Sequence, residues 1–208
     1  MKVVIIGGGG NLKSIIASQT GNNHIEFEGY TDIHNKGTIS GLKYLGHEKK
    51  LNFYDKNVLI SVVYLKNPKD RKLRKKLIRD LIKQGAIFPN IISPCSSVFS
   101  NLKLGRGNLL INSVFINTDV CIGSFNFFNS KVIIEHDVEI GDNNIFSPGV
   151  IVGGEVKIGD HNFFGMGVVI RDGISICDNV VVGMGSIVTK SIKKAGFYFG
   201  IPAKIKKV

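Results

Sequence analysis

Every sixth residue from Val98 to Val188 is apolar, sixteen positions in succession with no slip of phase. The series runs through Leu104, Leu110, Ile116, Ile122, Phe128 and Ile134 to Ile176 and Val182. A glycine often follows, as at Gly105, Gly123, Gly141, Gly153, Gly159, Gly165 and Gly183. A longer period of eighteen is superimposed: Asn108, Asn126, Asn144 and Asn162 form one series, and Val120, Val138, Val156 and Ile174 another. A period of six belongs neither to a helix nor to a half-buried strand. It fits short strands, rich in β-branched residues, stacked as the coils of a parallel β-helix. Three hexads per coil give a triangular prism, with each sixth side chain in an interior column and a small residue after it at the corner. A sandwich of short strands is the alternative, and sixteen positions in phase would then be accident.

The first ninety residues follow another grammar. Residues 2–6, KVVII, read as a buried parallel strand. Gly7, Gly8, Gly9, Gly10 and Asn11 form a turn, and residues 12–19 a helix. Strand, glycine turn and helix place backbone N–H groups where a phosphate or nucleobase can sit. The dinucleotide fingerprint is broken, because Leu12 stands at its third glycine. A turn that merely needs glycine remains the alternative to a ligand loop. A second strand, residues 25–31, ends at Asp32, placed either to meet a ribose or to serve as an ordinary turn residue. A short strand falls within 41–46, a third major one at 58–63, and a fourth at 86–88. Between the last two, residues 70–84 read as an amphipathic helix with Leu73, Leu77, Ile78, Leu81 and Ile82 inward and the basic residues opposite. The expected organisation is a small α/β, Rossmann-like domain at 1–90, a passage at Pro89–Pro94, and an all-β prism at 91–208 whose tail folds back after Val188.

Composition narrows the functional classes. No run of eighteen apolar residues occurs, and Met1 leads directly into a strand, so neither a membrane-inserted segment nor a signal peptide is expected. Cys95, Cys121 and Cys177 are odd in number and widely spaced. They read as small buried residues of a cytoplasmic protein, with no disulfide framework and no zinc knuckle. The formal charge of +11 concentrates in residues 66–83 and 190–207. No nucleic-acid motif accompanies it, so nucleic acid is not the expected partner. Solvated charge is the plain reading, and a polyanionic small ligand the functional one.

The prism carries two histidines, His136 and His161, one fewer than a zinc site of three histidines needs, so no metal is expected. His161 reads as a solvent-facing corner. His136 lies between Glu135 and Asp137. A carboxylate beside an imidazole orients it and raises its basicity, which suits a general base. A surface histidine without chemistry is the alternative.

The hexad repeat resembles the hexapeptide-repeat acyltransferases, whose fold is a left-handed parallel β-helix. With the GGGGN turn at 7–11, IEHDVEIG at 134–141, VGGEVKIG at 152–159 and GIPAK at 200–204, nearly the whole chain resembles the NeuD/PglD-type sugar acetyltransferases. That resemblance implies an acetyl-CoA-dependent enzyme, working as a homotrimer, that acetylates the amine of a nucleotide-linked amino-deoxy sugar used for surface glycans. It implies His136 as base and Asp137 as the acidic neighbour. Asn129 matches an asparagine near the sugar, and Gly154 a glycine whose N–H faces the acetyl carbonyl. Met166 and Met184 match backbone contacts to CoA; Gly9, Gly10, Asn11 and Asp32 match nucleotide-sugar contacts. Three departures stand out. Ile145 occupies the place of a second histidine, Ile33 that of a second acidic residue, and residues 61–68, SVVYLKNP, lack a strand-ending glycine. The rival activities are O-acetylation of sialic acid or a related sugar, and a nucleotide-sugar-binding module without turnover. An NAD-dependent dehydrogenase is disfavoured by the broken fingerprint.

Overall fold

The computed structural model describes residues 1–62 and 68–206. The chain divides into two compact units, Met1–Asn90 and Ile91–Val208.

In the first unit four parallel strands lie in the order β3-β2-β1-β4: β1 (Lys2–Ile6), β2 (Glu26–Thr31), β3 (Tyr44–Gly46) and β4 (Val58–Ile60). Val3 and Ile5 are fully buried, as a continuous apolar run in a parallel sheet requires. Helix α1 (Gly10–Ser18) begins two residues before the expected start, because Gly9 caps it in extended backbone. The strand expected at 58–63 closes at Ile60; its last residue, Val63, lies outside the described residues. The fourth strand is reduced to one parallel bridge between Asn57 and Ile87.

Helix α2 (Pro68–Lys83) departs from the expected polarity at three positions. Arg74 is buried, with 4 % of its surface exposed, whereas Leu73 and Ile82 are exposed. The guanidinium tolerates this because its Nε–H donates to the Val62 carbonyl at 2.9 Å. Burial pushes the Arg74 pKa down to about 10.

The second unit is the left-handed β-helix. Its three faces are sheets of two-residue strands, paired in parallel at a register of eighteen. The first face includes Leu109–Leu110, Phe127–Phe128, Ile145–Phe146 and Phe163–Phe164. The second includes Phe115–Ile116, Ile133–Ile134, Ile151–Val152, Val169–Ile170 and Ile187–Val188. The third includes Cys121–Ile122, Glu139–Ile140, Lys157–Ile158 and Ser175–Ile176. Ile122, Ile140 and Ile158 stack in one column, and the rings of Phe128, Phe146 and Phe164 stack at 4.8 and 4.9 Å. The interior columns fail only at the start, where Val98 is exposed and Leu104 half-buried. The tail strand Gly196–Phe199 returns beside Val180–Val182.

The asparagine series forms a buried ladder where the third face turns into the first. Each Oδ1 accepts the main-chain N–H one coil on: Asn108 Oδ1 from Asn126 N–H at 2.9 Å, Asn126 Oδ1 from Asn144 N–H at 2.7 Å, and Asn144 Oδ1 from Asn162 N–H at 2.9 Å. Asn108 and Asn126 also donate Nδ2–H to the carbonyls of Gly123 and Gly141, both at 2.9 Å. The hexad glycines answer a neighbouring need. A Cβ on Gly141 would collide with Asp160 Oδ1, and that oxygen accepts the Asp142 N–H at 2.8 Å.

The cysteines do not pack as expected. Cys95 is exposed, and Cys121 and Cys177 are half-buried. The latter two precede inward residues on the third face, and alternation along a strand turns them outward.

Candidate active site

His136 stands at the corner between the second and third faces. Asp137, the next residue, takes the left-handed conformation at φ 57°, which turns its carboxylate back onto the imidazole. His136 Nδ1 lies 2.8 Å from Asp137 Oδ2, and about half of the imidazole remains exposed. The hydrogen bond to Asp137, with Glu135 and Glu155 nearby, raises the His136 pKa above its ordinary 6.5. With Nδ1–H donated to the carboxylate, Nε2 is the nitrogen available to take a proton.

Gly154 lies one coil further along the same corner. A Cβ there would sit 2.7 Å from His136 Cε1 and 2.8 Å from Nε2, so the imidazole rests on a bare Cα. The Gly154 carbonyl accepts from Gly173 N–H, whereas its own N–H has no hydrogen-bond partner among the described residues. A sequence argument missed the support beside the histidine: Asn117 Nδ2–H donates to Glu135 Oε2 at 2.8 Å. Its signal was present, since Asn117 and Glu135 are eighteen apart and therefore neighbours along one corner. A groove of about 1000 Å³ opens on the third face beside Asp137, Glu139 and Lys157.

Asn129, Met166 and Met184 occupy the other corner of the second face. Asn129 Oδ1 accepts from Ser130 N–H at 2.7 Å, and both methionines are exposed. The Met166 carbonyl is taken by Gly185 N–H. One chain therefore places His136, Asp137 and Gly154 along one edge of the prism, and Asn129, Met166 and Met184 along the next. Ile145 is buried on the first face, and His161 is a half-buried corner residue at φ 59°.

In the first unit the glycine turn divides into two halves. Gly7 has φ +105°, and a Cβ there would meet Val62 and Ser61 side chains within 2.8 Å. A Cβ on Gly8 would lie 2.6 Å from the Tyr30 ring. Those two glycines are required by the fold. Gly9 and Gly10 face open space, so packing within the chain does not explain them. Asn11, in the first turn of α1, is half-exposed.

Asp32 braces this turn. Its Oδ2 accepts Gly8 N–H at 2.8 Å and Lys36 Nζ at 2.9 Å; its Oδ1 accepts His34 N–H at 3.2 Å. Burial pulls the carboxyl pKa up, but Lys36 and the Gly8 and His34 N–H groups prevail and hold it below the ordinary value. Lys36, which the sequence reading overlooked, also reaches the Gly8 carbonyl at 3.3 Å. A cavity of about 320 Å³ at the carboxyl ends of β1, β2 and β4 is lined by Gly7, Thr31, Asp32, Ile33, Val62 and Arg74, among others. Thr31 Oγ1 is buried, with no hydrogen-bond partner among the described residues. Crevices at this edge of an open parallel sheet are the usual ligand sites of such domains. Among the described residues, no group of three or more His, Cys, Asp or Glu side chains converges to hold a metal ion.

Residues 155–190 match a protein-family profile described as the hexapeptide repeat of succinyl-transferase. A sequence search of curated proteins finds no match. Among solved structures, the GDP-perosamine N-acetyltransferase of Caulobacter crescentus, determined as a variant with CoA and GDP-perosamine, is 27% identical. It superposes with a TM-score of 0.91, covering 100% of this chain and 98% of that one. WeeI from Acinetobacter baumannii is 25% identical with a TM-score of 0.87, over 99% of this chain and 100% of its own. The acetyltransferase domain of PglB from Neisseria gonorrhoeae, at 21% identity, shares the fold with a TM-score of 0.88 over 99% of both chains.

Proposed function

We propose, for a chain that belongs to the hexapeptide-repeat sugar acetyltransferases, that it transfers acetyl from acetyl-CoA to the amine of a nucleotide-linked amino-deoxy sugar. The observation that carries this reading is the His136–Asp137 pair: a half-exposed imidazole, fixed at Nδ1 by a carboxylate 2.8 Å away, with Nε2 open above Gly154. The full-length match to an enzyme that binds CoA and GDP-perosamine supports the same chemistry and both substrate classes.

The residues act as follows. The neutral amine attacks the thioester carbonyl while His136 Nε2 accepts a proton from the nitrogen. Asp137 holds the productive tautomer and stabilises the imidazolium that forms. The unpaired Gly154 N–H is the donor for the developing oxyanion. Collapse of the tetrahedral intermediate forms the amide and releases CoA thiolate, which takes up the proton. No covalent enzyme intermediate is required. Asn129 orients the sugar, and the Met166 and Met184 backbone borders CoA. Gly9, Gly10, Asn11 and Asp32 serve the nucleotide end, Asp32 by bracing the turn.

The placement of these groups supports a homotrimer. The second face presents Phe115, Ile133, Ile151, Val169 and Ile187 outward, an apolar row on an exposed sheet. Its two edges carry the two halves of the site. Packing second faces around a threefold axis buries the row and brings the His136 edge of one copy to the Asn129 edge of the next. We place the reaction in the cytoplasm, where acetyl-CoA and nucleotide sugars are available to a surface-glycan pathway.

The test is free-thiol release from acetyl-CoA with UDP-, dTDP-, GDP- and CMP-linked sugars, each as the amino and the hydroxy form. Turnover confined to an amino sugar is expected. Turnover of hydroxy sugars alone would move the assignment to O-acetylation, and binding without turnover would reduce the chain to a carrier.

A further inference from the structure

Six cations of the first unit are arranged along one line. Lys69, Lys72, Lys75, Lys76, Arg79 and Lys83 are all exposed and recur at intervals of three, three, one, three and four along α2. Those intervals keep them on one side of the helix, opposite the buried Arg74, Ile78 and Leu81. Among the described residues none of the six forms a salt bridge. The stripe runs the length of a sixteen-residue helix, about 24 Å at 1.5 Å per residue.

A second observation selects the partner. The C-terminal end of α2 carries an exposed apolar patch: Tyr54, Ile82 and Ile87, with 73%, 38% and 45% of their surface free. They gather around Gly85, whose N–H donates to the Ile82 carbonyl and against whose Cα the Tyr54 ring packs. A polar polyanion such as a nucleic acid satisfies the cations and gains nothing from these side chains. A bilayer of anionic lipid satisfies both, because phosphate headgroups meet the lysines and the headgroup–acyl boundary accepts Tyr and Ile.

We propose that the exposed face of α2, with the Tyr54–Ile82–Ile87 patch at its end, is a peripheral docking surface for an anionic membrane. The helix would lie on the surface: among the described residues no helix is long and apolar enough to cross a bilayer. None of the nine residues belongs to the catalytic or nucleotide-binding sets above, so docking is compatible with turnover.

Co-sedimentation of the full chain with vesicles is the test. Strong binding is expected to phosphatidylcholine vesicles containing phosphatidylglycerol and little to phosphatidylcholine alone. Raising salt from about 0.1 M to 1 M shortens the screening length from about 10 Å to 3 Å and should release the protein. Each juxtamembrane cation is worth roughly fivefold in partitioning, so Lys72→Gln with Lys76→Gln and Arg79→Gln should weaken binding by about 100-fold. Circular dichroism and thiol release should stay unchanged. Tyr54→Ala with Ile82→Ser should weaken vesicle binding and leave any adhesion to duplex DNA untouched. Equal binding to both vesicle types, or full binding by the glutamine variant, would overturn the proposal. Duplex DNA binding as tight as vesicle binding, with the Tyr54/Ile82 variant retaining both, would identify a polyanion surface and also overturn it.

Discussion

At the scale of single residues the site depends on contacts of a few ångströms. Replacing His136 with alanine removes an exposed corner side chain and no core contact, so fold and CoA binding should persist. General-base catalysis contributes about 10²–10⁴-fold, and kcat for thiol release should fall by that order. Asp137 raises the His136 pKa, so protonated imidazole is favoured and the base is lost as pH falls through a value above 6.5. The acidic limb of kcat/KM should therefore lie above that value. Asp137→Asn should move it downward, because a less basic imidazole stays neutral to lower pH; an unmoved limb would remove Asp137 from the mechanism. Gly154→Ala tests the floor under the ring. The added methyl would lie within 3 Å of two imidazole atoms, so the ring must tilt and kcat should drop with little change in thermal stability.

At the scale of elements the coil is held by its polar ladder as well as its apolar columns. Asn126→Ala would leave the Asn144 N–H and the Gly141 carbonyl without partners in a buried corner. Each buried unsatisfied group costs about 1–3 kcal/mol, so a lowered unfolding temperature is expected, measurable by calorimetry. Asn129→Ala, at a partly exposed corner, should cost far less stability. In the α/β unit, Gly9→Val should fold, since a Cβ there meets nothing, but should raise the KM for the nucleotide sugar and spare that for acetyl-CoA. The prism was legible because its period repeats sixteen times, and a single accident cannot mimic it. The buried role of the asparagines was not, because eighteen-residue spacing shows alignment and not which way an amide points. Helix α2 was legible as a helix, yet its wheel misassigned Arg74 and Leu73. Amphipathic pattern ranks side chains by polarity, and burial of Arg74 rests on a hydrogen bond to Val62 that pattern does not encode. Asp32 was ambiguous for a related reason. Its carboxylate is committed by Lys36, four residues on, and only the fold of the loop brings the two together.

At the scale of the molecule, the candidate site is divided between two edges of one prism, and that division makes assembly testable through activity. His136 and Asn129 lie at opposite edges of the second face, so the proposed site would join the histidine edge of one copy to the asparagine edge of its neighbour. Let His136→Ala and Asn129→Ala each abolish most turnover as homogeneous proteins. Co-expressed with distinct tags, the two chains assemble at random around a closed threefold ring. Any mixed ring, whichever chain is in excess, has one junction where an intact histidine meets an intact asparagine. With equal amounts, three rings in four are mixed and one site in three is whole, so about a quarter of the wild-type rate should return. Rings purified through both tags in sequence should show about a third. A site contained within one chain predicts no recovery at all, because every chain then carries a defect. Absence of recovery from doubly tagged, folded oligomers would therefore refute the shared site. A light-scattering mass of one chain would refute the trimer itself, and the two outcomes can be told apart on the same preparation.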